Sequence, residues 1–264
     1  MPDELDLIQQ AAQGSKEAQL GLVDLAIAAG AAGAVRQIES LAAAETWARL
    51  AAANGGREEN RVLVGVLLTR GDFETSRSAV SAAAWYEGEA RRVLMMLAEA
   101  GDEDAQLALQ ELGPARDLQE RQIASDLHEH LVAAGSGKAS AFRALYDFAA
   151  ESILAGRVDA AEALVAGELY ARLGMAAGDY EQAECLSAIL VARAQYAREL
   201  GCAALADAAA GEAAIRMAVL ADQGNDKVAT WLAELAASPI QAGVVAATEY
   251  APTILKYMHV EGTC

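Results

Sequence analysis

The sequence predicts an all-α protein, an α/α solenoid of about six helix pairs in two duplicated halves. Three observations predict it. The 264 residues are rich in alanine and hold only 4 prolines; alanine has the best helix propensity and proline the worst. Apolar residues recur at helical spacing. Small and turn-forming residues recur along the chain at a regular interval, and the second half of the chain repeats the first.

The elements follow in order. Gly14 ends the first helix, and Ser15 caps the next, which starts near Ala18 and carries Leu22. Glycine stops a helix because it adopts the left-handed conformation at no steric cost. Ser, Asp and Asn just beyond it accept a bond from the open N–H groups of the next helix. The loop "GAAGAV" at Gly30–Val35 leads into a helix with Leu41, Trp47 and Leu50, ending at Gly55. A helix from Asn60 presents Leu63, Val66 and Leu67 on one face. Gly101 and Asp102 open the helix that starts at Ala105. Further on, Gly137 precedes a helix from Ala141, Gly178 one from Ala183, and Gly224 with Asn225 one from Val228. Pro239 ends the series, and "APTILKYMHV" at Ala251–Val260 is expected to close it, since terminal units of a solenoid need a modified outer face. The expected divisions are 1–134, 138–237 and a capping region 238–264, within one continuous domain.

Gly137, Gly178 and Gly224 each lie 123 positions beyond Gly14, Gly55 and Gly101. That shift needs no gaps. It sets "ETWARL" at Glu45–Leu50 on "ELYARL" at Glu168–Leu173. It also sets "LAEAGDEDAQLALQEL" at Leu97–Leu112 on "LADQGNDKVATWLAEL" at Leu220–Leu235. Roughly thirty of about 108 aligned pairs are identical, and about twenty of those are not alanine, so composition alone does not produce the match. The pattern is an old duplication.

Trp47, Ala51, Ala52 and Gly55, Tyr170 and Gly178, and Ala18, Leu22 and Gly30 fall at the signature positions of a known repeat. The stretch "AGRVDAAEALVAGELY" at Ala155–Tyr170 is a further match. The pattern resembles the Sel-one-like branch of the tetratricopeptide-like helical repeats. The resemblance implies a right-handed solenoid that binds other proteins without catalysis. It also places Trp47 and Tyr170 between helices.

"GSGK" at Gly135–Lys138 invites a phosphate-loop reading. The pattern fails, because Val132 stands where its first glycine belongs and Ala139 where Ser or Thr belongs. The run instead reads as a flexible turn at the joint of the halves. His128 and His130 in "HEH" lack the four-residue spacing of a zinc helix, and His259 is the third histidine. Cys185, Cys202 and Cys264 show no CxxC spacing and are expected to be reduced thiols in a cytoplasmic protein. No cofactor, metal site or catalytic constellation is expected.

The formal charge of −18, from 38 acidic against 20 basic residues, disfavours nucleic acid and anionic membranes as partners. It favours another protein, with a basic segment as one form. Aligning the expected inner helices at their starts gives the column Asp24, Val66, Glu111, Asp147, Ile189, Glu234. Its four acidic members are candidate partner-binding residues, with Phe142, Tyr146 and Trp231 as candidate anchors. Trp231 has small counterparts in other units, so it is expected to project. The expected function is a scaffold or regulatory adaptor that holds a partner segment in a concave groove. Two alternatives stand beside it: an enzyme or small-molecule sensor using the cavity, and an acidic inhibitor or immunity-type protein that masks a basic target.

Overall fold

The structure, a computed structural model, describes residues 4–113, 125–154 and 159–237. These form twelve α-helices and no strand. The first six are α1 (Glu4–Ala12), α2 (Lys16–Ala31), α3 (Gln37–Ala53), α4 (Arg57–Ser76), α5 (Val80–Glu99) and α6 (Glu103–Glu111). The others are α7 (Ser125–Gly135), α8 (Ala139–Leu154), α9 (Ala160–Ala176), α10 (Gln182–Glu199), α11 (Ala203–Asp222) and α12 (Asp226–Ala237). Helix follows helix at the same offset in both halves. The starts of α2 and α8, of α3 and α9, of α5 and α11 and of α6 and α12 differ by the 123 positions of the repeat. The expected capping region 238–264 lies outside the described residues.

Five of the six expected turn glycines have left-handed φ: Gly14, Gly101, Gly137, Gly178 and Gly224. Each sits in the same arrangement, its own N–H and the next residue's N–H bonding back to the helix it ends, as in Gly101 to Ala98 and Asp102 to Leu97. The three expected caps form. Ser15, Asp102 and Asn225 accept bonds from the N–H groups of Ala18, Ala105 and Val228. Gly55 is the exception: its φ is not left-handed, and it is small for want of room, a Cβ there coming 2.5 Å from the Cβ of Glu59.

The chain divides into two compact units, Met1–Lys138 and Ala139–Cys264. In the first, α2 packs on α3, α3 on α4, α4 on α5 and α5 on α6. Leu22, Leu41, Trp47, Leu50, Leu63, Val66 and Leu67 are buried there, as the periodicity predicts. In the second, α8 packs on α9, α9 on α10, α10 on α11 and α11 on α12. Phe142, Leu145, Leu164, Tyr170, Leu173 and Leu186 form its core.

By the 123-residue shift α7 is the counterpart of α1, though the expected division at 134–138 leaves it in the first half. In space α7 belongs to the first unit, packed on α3 and touching α1, with Leu131 and Ala134 buried. The joint after it is a packed turn rather than a flexible one. A Cβ on Gly137 would stand 2.7 Å from the carbonyl carbon of Gln13, and one on Gly14 2.9 Å from that of Ser136. Gln19 donates to the Gly135 carbonyl, and Asn54 to that of Val132. "GSGK" is therefore the link between α7 and α8. Of the thiols expected to be reduced, Cys185 is free and buried, but Cys202 is disulfide-bonded.

Candidate functional site

The even-numbered helices carry the expected binding column, whose members differ in exposure. Val66 and Ile189 are buried members of the core. Asp24 on α2 and Glu111 on α6 are exposed. Asp147 on α8 is half-exposed and paired with Arg143 at 3.0 Å. The side chain of Glu234 lies outside the described residues. The candidate anchors are interior: Phe142 is 0%, Tyr146 8% and Trp231 6% exposed. Trp231 does not project. Its small counterparts gave no sign that Lys227 lies across its ring, at 4.5 Å.

What α4 presents to solvent is a stripe beside the column. Gly65, Thr69 and Asp72 are exposed and fall on one face at three- and four-residue steps. Space is open above Gly65, where a Cβ would meet nothing within 4 Å. On α2 and α6 of the same unit, Ile27 and Leu107 are also exposed, at 45% and 57%.

Each unit also holds a charged constellation that sequence reasoning missed. Arg49 on α3 meets Glu89 on α5 through two bonds of 2.6 and 2.7 Å, and its Nε donates to Glu45 at 2.9 Å. Arg70 on α4 lies 3.5 Å from Glu45 and donates to the Tyr86 hydroxyl. The second unit holds the same four residues at the same offset. Arg172 meets Glu212 at 2.8 and 2.7 Å and Glu168 at 2.8 Å, and Arg193 donates to Glu168. Each set ties three successive helices, α3–α5 or α9–α11. Burial pushes the Glu168 carboxyl up, but the charges of Arg193 and Arg172 outweigh it and hold the pKa below the usual value. The Arg172 hydrogen bond, against a smaller opposing effect of burial, brings Glu212 down to about 2. Burial works against the Arg49 charge, yet Glu45 and Glu89 raise its pKa.

A second pairing repeats with its charges exchanged. Arg61 on α4 bonds Asp102 at 2.6 and 2.9 Å and Asp104 at 2.8 Å, which brings Asp102 down to about 2. The corresponding residues are Glu184, Asn225 and Lys227. There Asn225 donates to Glu184 at 2.5 Å, and Lys227 lies 3.6 Å from it. Donor and acceptor have changed sides and the contact survives. The 123-residue shift sets Glu45, Arg49, Arg70 and Glu89 on Glu168, Arg172, Arg193 and Glu212, but it does not say which of them meet. A charged residue read singly looks like solvated surface.

Among the described residues, no group of three His, Cys, Asp or Glu is arranged to hold a metal ion. His128 is exposed on α7. No helix of the described residues is long and apolar enough to cross a membrane. Comparisons with family models, with curated proteins and with solved structures found no match to this chain.

Proposed function

We propose that the protein is a non-catalytic scaffold or regulatory adaptor that receives a segment of a partner protein along the inner helices of its first unit. The carrying observation is the open α4 stripe of Gly65, Thr69 and Asp72, on a unit that also exposes Ile27, Leu107, Asp24 and Glu111. An extended or helical segment needs apolar contacts for affinity and complementary charge for approach and selectivity. The first unit exposes residues of both kinds. The architecture we infer is a right-handed solenoid of the Sel-one-like kind, supported by the helix-pair period, the glycine stops and the buried Trp47 and Tyr170. A protein-binding role is consistent with the charge of −18. The same charge supports a second reading, an acidic inhibitor or immunity-type protein masking a basic target.

The experiment compares wild type with Thr69→Arg/Asp72→Arg in capture from cell extract, then in titration of the captured partner at two salt concentrations. The proposal predicts loss of binding in the variant with helix content unchanged. Undiminished binding by the variant contradicts the α4 surface. A partner lost instead by replacing Asp24, Glu111, Asp147 and Glu234 with Lys, and strongly salt-dependent in the wild type, favours the masking reading.

A further inference from the structure

The outer face of α11 is apolar where it meets solvent. Ala204, Ala208, Gly211, Ile215 and Val219 are exposed and follow one another at three- and four-residue steps, so they form one stripe along the helix. Ile215 is 69% and Val219 52% exposed. Ala206, Ala213 and Met217, on the opposite side, are the buried residues of α11, which packs on α10 and α12. The helix is thus apolar on both sides, and only one side has a partner among the described residues. A continuous exposed apolar row marks a face that another surface covers. The five stripe residues carry no charge, in a chain whose formal charge is −18.

The stripe is complementary to itself when two copies run antiparallel. A twofold axis at the level of Ala213 sets Gly211 of one copy against Ile215 of the other, Ala208 against Ala218 and Ala204 against Asp222. Gly211 leaves room for this. A Cβ there would meet nothing within 4 Å, so the exposed Ile215 of a second copy can descend onto backbone. Val219 comes down between Ala204 and Ala208. The helix ends match in charge. The first turn of α11 holds no acidic residue to meet the positive end of its dipole. Asp222 is exposed at the other end, where it faces the negative end of its own helix. Antiparallel pairing carries the Asp222 of each copy to the N-terminus of the other, which relieves both.

We propose that α11 is the interface of a twofold dimer, its outer stripe packed antiparallel on the same stripe of a second copy. The corresponding helix of the first unit supplies the contrast. At the positions of Ala208, Ile215 and Val219, α5 carries Trp85, Arg92 and Met96. With Arg92 in the place of Ile215, the same pairing would press an arginine onto Gly88, and a charge buried without a partner is costly. Self-pairing therefore belongs to α11 and not to α5. A single helix pair makes a small interface, below about 1,200 Å² in total, which is the range of weak and transient complexes. The dimer accordingly forms and parts with concentration. This holds whether or not the α4 stripe binds a partner.

The test is sedimentation velocity of the full chain over a wide range of concentration, with helix content followed by circular dichroism. The proposal predicts a reversible monomer–dimer equilibrium. Ile215→Arg, at an exposed position, should weaken it at least about tenfold with helix content unchanged. Asp222→Lys should weaken it severalfold, because both helix ends lose their counter-charge. Met96→Arg on α5 should leave it as in the wild type. A chain that stays monomeric at every concentration, or a dimer as strong in Ile215→Arg as in the wild type, overturns the proposal. A second measurement places a photoreactive benzoylphenylalanine at 219 and irradiates a mixture of isotopically light and heavy chains. Crosslinks that join two chains and fall on residues 204–208 are expected. Crosslinks confined to one chain, or joining two chains outside α11, overturn the proposal.

Discussion

Gly137 and Gly178 are counterparts of Gly14 and Gly55, and both have left-handed φ, 82° and 91°. Only Gly137 is crowded; a Cβ on Gly178 meets nothing within 4 Å. Gly178→Ala should therefore cost about 1 kcal/mol, the backbone penalty alone. Gly137→Ala should cost clearly more, because backbone of the turn at Gln13 must also move. Urea denaturation of the two variants checks the order, and equal costs would mean the turn is looser than described. Arg49 gives a second test. Arg49→Met takes from Glu45 and Glu89 the guanidinium they share, and removing one partner of a buried pair costs about 3 kcal/mol. Arg172→Met should cost less, since the Arg172 side chain is 24% exposed against 13% for Arg49.

At the scale of elements, α9–α11 are joined by Glu168 and Glu212, whose carboxyls ionise below their usual range. A depressed folded pKa means that the unfolded chain takes up protons first. The stability is present above the ordinary value of 4.5 and is lost as pH falls toward about 2. Glu212→Gln should flatten the pH dependence of stability between those limits, while lowering stability at pH 7. A profile unchanged by the substitution would place the acid response elsewhere. Turns and caps were legible in the sequence because they are local: a glycine and the Ser, Asp or Asn after it need no distant partner. The Arg–Glu sets were not, because Glu89 meets Arg49 only after three helices have packed. Trp231 was misread for a related reason. Its neighbour Lys227 sets its ammonium 4.5 Å from the ring centre, and side-chain size at aligned positions carries no record of that contact.

At the scale of the molecule, the sequence sets the joint at 134–138, and the units divide at Lys138. The 123-residue shift makes α7 the counterpart of α1, yet α7 packs within the first unit. Residues 1–138 alone should thus remain folded and helical, whereas residues 1–124, lacking α7, should melt at a lower temperature, with Asn54 stripped of its Val132 acceptor and Gln19 left with the Ala11 carbonyl alone. Circular dichroism melts of the two fragments decide it, and equal melting temperatures would place α7 outside the first unit. The central claim is that one face of α4 is open to a partner segment. The most direct measurement is photocrosslinking in living cells from position 69, with the solvent-facing position 80 of α5 as a reference. The account predicts a discrete crosslinked partner from 69 and not from 80. The same partner from 80, or none from 69, would contradict it.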